Sequence, residues 1–130
     1  MKTSLTLSIL AAYNTLMGVL MLFLPGKMAL SMIGAKRATE NPDLEQIATM
    51  FHYGLAPALL MIGLILIMIR TCDVETAKKS LSAYVIATAV LLTLFFTVFS
   101  TSTVMDFSVE MAVPDMLAFT LALFGYLKAK

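Results

Sequence analysis

The chain has 130 residues, 60% of them apolar and 13% charged, with a mean hydropathy of +0.93 and a net charge of +1. Soluble domains are about 45–50% apolar and about 25% charged, so a soluble enzyme and a disordered chain fit poorly, and the near-neutral balance offers no basic footprint for nucleic acid. A single cysteine, Cys72, excludes an intramolecular disulfide and any CxxC metal or redox site.

A helix needs roughly 20 mainly apolar residues to cross a bilayer core of about 30 Å, and four stretches meet that length. The first, residues 4–24, carries no charge. Lys2 and the apolar run 5–12 also suit a signal peptide, but the run continues to Leu24, past the length of an h-region, so it reads as a retained span. Pro25-Gly26 ends it, because proline cannot continue a helix and glycine accepts the reversed backbone. Residues 27–34 are too short to span and read either as a short interfacial helix or as an irregular segment.

Asn41-Pro42-Asp43-Leu44-Glu45 then reads as a helix start, with Asn as N-cap, Pro at the first helical position and acids in the first turn. The second helix would run over 42–69, about 40 Å, its apolar span being residues 50–69 with His52 and Tyr53 as the ionisable groups. Asp73 is an N-cap for the third helix, with Glu75 in its first turn, and its span is residues 81–101. The short link 102–108 makes the third and fourth helices an antiparallel hairpin. Residues 111–127 form the fourth span, which carries Asp115, the one carboxylate inside a span. Residues 1–130 therefore read as a single all-α integral-membrane domain, a four-transmembrane-helix bundle with antiparallel up-down connections.

Orientation follows the Lys and Arg near the span ends. Lys2, Arg70, Lys78, Lys79, Lys128 and Lys130 lie on one side, against Lys27, Lys36 and Arg37 on the other, which predicts cytoplasmic N- and C-termini. Phe23, Phe51, Tyr53, Phe99 and Phe107 then fall near the outer boundary, and Tyr84 and Tyr126 near the inner one, as expected of rings that favour the headgroup region.

Helices in lipid associate through small residues that let backbones approach. Ser4, Ser8, Ala11, Thr15 and Gly18 form such a stripe on the first helix. Gly54 and Ala58, Ala83 and Ala87, and Ala118 and Ala122 (with Gly125 beyond) give small-xxx-small pairs on the other three. These faces are expected to point into the bundle.

Polar groups inside a span are costly and are functional candidates by default. Asp115 follows Pro114 and reads either as an interfacial acid near a helix N-terminus or as part of an outward-facing polar pocket. His52 and Glu110 occupy the same outer third, with Tyr53 beside the histidine, and a His–carboxylate pair could titrate near neutral pH. Asn14, near the middle of the first span, should seek a partner on another helix, as structural glue or as a ligand to substrate or ion. Pro57 can kink the second helix near His52. Eleven methionines suit flexible apolar packing, and without a His or Cys cluster they indicate no copper site. No metal and no cofactor is expected.

No GxSxG, HExxH, Walker or GxGxxG motif occurs, so no catalytic or nucleotide apparatus of the soluble type is visible. In layout the chain resembles the small four-helix bacterial membrane proteins of the DoxX-like type. The residues that carry this are Asn14 and Gly18, Pro25-Gly26, the apolar segment closing at Gly34, and Gly54 and Gly63. The resemblance implies a bundle in a prokaryotic inner membrane, a subunit or accessory of a redox or transport system, and it transfers no catalytic residue. Two functions are consistent with the sequence. One is a non-catalytic membrane subunit or accessory protein acting through helix–helix contacts, with the lipid bilayer and other subunits or its own copies as partners and no nucleic acid. The other is a small transporter, channel or ligand-binding bundle built around Asp115 and His52. An intramembrane enzyme using a His–Asp pair on a lipid or quinone is a third.

Overall fold

In the computed structural model, residues 3–129 are described; Lys2 and Lys130, which enter the orientation argument, lie outside them. Among the described residues there are six α-helices and no strand: α1 (Thr3–Phe23), α2 (Pro25–Ile33), α3 (Ala35–Glu40), α4 (Pro42–Ile69), α5 (Val74–Thr97) and α6 (Val109–Leu127). Four of them, α1, α4, α5 with the 3-10 turn that extends it to Thr101, and α6, are long and apolar enough to cross a membrane. The chain is an all-α bundle of four such helices.

Local chemistry sets most boundaries. At the end of α1 only Leu24 departs from helical geometry, and Pro25 occupies the first turn of α2. The proline that was expected to open a reversing turn thus starts the next helix directly, its fixed φ and missing N–H suiting a first turn. The 27–34 segment is accordingly helical as far as Ile33. The six-residue α3 follows; Lys36 and Glu40 pair along it at 3.9 Å. Gly34 separates α2 from α3 at φ 82°, and a Cβ there would stand 3.0 Å from Asp106 Oδ2. Both the backbone conformation and the close approach call for glycine.

The Asn41 side-chain oxygen accepts from the Leu44 N–H at 3.2 Å, with Pro42 in the first turn of α4. Asp73 accepts from the Thr76 hydroxyl at 2.7 Å and the Thr76 N–H at 2.8 Å, which starts α5 and holds the Asp73 carboxyl below the usual carboxylate range. At 28 residues α4 is about 42 Å long, more than a bilayer core of about 30 Å requires. Its N-terminal turns are covered by α2 and α3 through a small cluster of Ala29, Ile33, Ala38 and Ala48, with Met32 and Leu44 packed against it. The link between α5 and α6 is tied to the same end, where the Asp106 N–H donates to the Met32 carbonyl at 2.9 Å and Phe107 packs against Phe95 and Phe96.

The main core contains Leu7, Leu10, Ala11, Leu66, Leu81, Ala118 and Ala122. α1 and α4 pack closely along their length and antiparallel: a Cβ on Gly18 would lie 2.9 Å from Leu60 N, and one on Gly63 would lie 2.9 Å from Thr15 N and 3.1 Å from the Ala11 carbonyl. α5 and α6 form the second antiparallel pair. α1 also meets α5 and α6, whereas α4 and α6 stand apart. At the other end of α1, Gly125 of α6 sits against Thr6.

The small-residue stripes divide. Ala11, Gly18, Ala118 and Ala122 are buried, and Ser8, Thr15 and Ala58 are half-buried. Gly54, Ala83 and Ala87 are exposed instead, and a Cβ on Gly54 would meet nothing within 4 Å. Helical phase is the reason. On α4 the inward row is His52, Ala56, Gly63 and Leu66, and on α5 it is Ala77, Leu81 and Thr88, all buried. Residues one or two positions off such a row turn about 100–200° away from it.

Candidate functional site: a polar junction between three helices

Tyr13 and Asn14 are consecutive on α1, so they point in directions about 100° apart and reach two different neighbours. The Tyr13 hydroxyl donates to Asp115 Oδ1 on α6 at 2.9 Å. The Asn14 amide donates to the Tyr84 hydroxyl on α5 at 2.9 Å and to the Leu10 carbonyl of its own helix at 2.8 Å. Asn14 is buried, and Tyr13, Tyr84 and Asp115 are half-buried. One turn beyond Tyr84, the Thr88 hydroxyl donates to the Tyr84 carbonyl at 2.7 Å. Tyr13 and Asn14 are ten and eleven residues into the 21-residue α1, so the junction sits near the middle of that span.

Each bond satisfies a group that would otherwise be costly in hydrocarbon. Asn14 uses both amide hydrogens, and Asp115 takes a phenolic hydrogen on one oxygen. Pro114, immediately before Asp115, lies in the second turn of α6 and loosens the backbone there by withholding an N–H. The arrangement fastens α1 to both members of the α5–α6 pair. Chemically, Asp115 is a carboxylate that can hold a proton or a cation beside a phenol.

The sequence-derived candidates are only partly brought together. Asn14 and Asp115 take part in one junction, through Tyr84 and Tyr13 respectively. His52 does not reach Asp115. It is buried on α4, and its Nδ1 lies 2.7 Å from the Ala48 carbonyl. A carbonyl can only accept, so Nδ1 carries the hydrogen and neutral His52 has Nε2 as its acceptor. Along α4, His52 precedes Gly63, which packs against Ala11 and Thr15 of α1, by eleven residues, or about 16 Å. Tyr53 is 46% exposed, and Glu110 is exposed in the first turn of α6. Among the described residues no group of three or more His, Cys, Asp or Glu side chains is placed to hold a metal ion.

Tyr13 and Tyr84 are the junction residues that sequence reasoning missed. Tyr84 was expected at the inner boundary as an interfacial ring, yet it lies on the inward row of α5 with Leu81 and Thr88. That 3–4 spacing was the available signal. Comparison with protein-family models, curated proteins and solved structures yields no match.

Proposed function

We propose that this protein is a non-catalytic integral-membrane subunit or accessory protein that works through its helix faces. The observation that carries this reading is the exposure of α5. Only 11% of its apolar span is buried, against 39% for α1, and the small residues Ala83 and Ala87 lie on the uncovered side. Small residues are useful where another backbone approaches, and among the described residues Ala83 and Ala87 stay exposed. The polar junction acts as internal glue in this reading. The resemblance to small DoxX-like bundles agrees with it, and suits a bacterial inner membrane and an accessory role in a redox or transport system. The basic residues near the span ends favour cytoplasmic termini.

Cysteine cross-linking tests the proposal. In a Cys72→Ser background, Ala83→Cys or Ala87→Cys should give an oxidative cross-link in native membranes, to a partner or to a second copy. Leu117→Cys on α6, 66% exposed, should not. Absence of any product from both α5 variants removes α5 as a docking face.

A further inference from the structure

Where the N-terminal part of α1 meets the C-terminal end of α4, an open cavity of about 500 Å³ is lined by Ser4, Leu5, Ser8, Arg70 and Thr71. A second open cavity, of about 510 Å³, shares Ser8 and continues along α1 past Ala12 and Leu16 to Val19, with Leu64 and Ile67 of α4 on its other wall. Together they form one groove, polar with a guanidinium at its mouth and apolar along the rest. From Ser8 to Val19 it runs about 16 Å, close to half of a bilayer core of about 30 Å, the depth of one leaflet.

Among the described residues the guanidinium at the mouth has no counter-ion. Both acids beside it are engaged elsewhere: Asp73 caps α5 through Thr76, and Glu75 pairs with Lys79 at 2.7 Å. The Arg70 guanidinium has five N–H donors, and its one hydrogen bond among the described residues is to Ser8 Oγ at a long 3.4 Å. The same end of the bundle carries Lys78, over the Tyr126 ring at 5.2 Å, and Lys128. A forked guanidinium suits a phosphate diester, and an apolar groove one leaflet deep suits an acyl chain.

We propose that this groove is a binding site for an anionic phospholipid, with its phosphate on the Arg70 guanidinium, beside Ser8 and Thr71 whose hydroxyls donate to the Ser4 and Met68 carbonyls at 2.8 and 3.0 Å, and one acyl chain along Ala12, Leu16 and Leu64. The site is distinct from the exposed side of α5 and does not depend on it.

The test uses the full-length, delipidated protein in detergent, titrated with phosphatidylglycerol, with phosphatidylcholine or with inorganic phosphate, and read by native mass spectrometry as lipid-bound mass. Both headgroups offer the same phosphate diester, but phosphatidylcholine also brings a cation beside Arg70, so phosphatidylglycerol should bind about tenfold more tightly. Arg70→Gln should erase that preference, and Ala12→Phe, which fills the exposed groove, should weaken both lipids. Equal binding of the two lipids by the unaltered protein would overturn the proposal. So would a preference that survives Arg70→Gln, lipid binding unchanged by Ala12→Phe, or displacement of the lipid by phosphate alone. A dimer mass in place of lipid, abolished by Ala12→Phe, would assign the groove to a second copy and equally overturn it.

Discussion

Two adjacent side chains on α1, Tyr13 and Asn14, fasten three helices with two hydrogen bonds. Such bonds in membranes contribute about 0.6 kcal/mol on average and up to about 1.7, because polar groups in the unfolded state also find partners. Tyr13–Asp115 joins a phenol to a carboxyl and belongs toward the upper part of that range. Tyr13→Phe and Asp115→Ala should each lower stability, and the double variant should lose about 1 kcal/mol less than the sum of the two. Unfolding in mixed micelles measures all three; simple additivity would mean that the bond contributes nothing. His52 illustrates a different economy. With its Nδ1 hydrogen held by Ala48, it behaves as a satisfied core residue, and its position on the inward row of α4 explains its burial without any reference to Asp115.

At the scale of the helix, closeness of approach decides the effect of a single methyl group. A Cβ on Gly63 would run into the α1 backbone at Thr15 and Ala11, which cannot rotate away. Gly63→Ala should therefore force α1 and α4 apart and cost about 1–3 kcal/mol. Gly54→Ala, facing open space on the same helix, should instead add up to about 1 kcal/mol through helix propensity. Thermal unfolding of the two variants in one detergent should move in opposite directions.

The helix starts at Pro42 and Val74 could be read from the chain, because Asn41 and Asp73 cap through contacts three residues away. The orientation of Ala83 and Ala87 could not. A small-xxx-small pair reports that a backbone can approach, not from which side, and that side is fixed by the larger residues sharing the inward row. Tyr84 escaped notice for a related reason: its partner, Asn14, is seventy residues distant, and nothing local names it. The six-residue α3 had no capping signal to announce it.

Over the whole molecule, charge is distributed unevenly between the two ends. The end with Arg70, Lys78, Lys79 and Lys128 holds two acids, Asp73 and Glu75; the opposite end sets Glu40, Asp43, Glu45, Asp106 and Glu110 against Lys27, Lys36 and Arg37. If the basic end faces the cytoplasm, Cys72, exposed in the link between α4 and α5, should react with a membrane-impermeant maleimide only after cells are permeabilised. Labelling of intact cells would reverse the assigned topology.

The contact pattern also has a consequence for how the protein is made. α4, α5 and α6 all pack on α1, whereas among the described residues α4 and α6 stand apart. α1 precedes the other three in the chain, so during synthesis each helix that enters the membrane later finds its main neighbour or the common one already there. α4 can close on α1 as soon as it emerges. The α5–α6 pair can then dock against Tyr13 and Asn14, of which only Asn14 has a partner within α1, the Leu10 carbonyl. The junction, which needs Tyr84 of α5 and Asp115 of α6, can be completed only when the last helix has arrived.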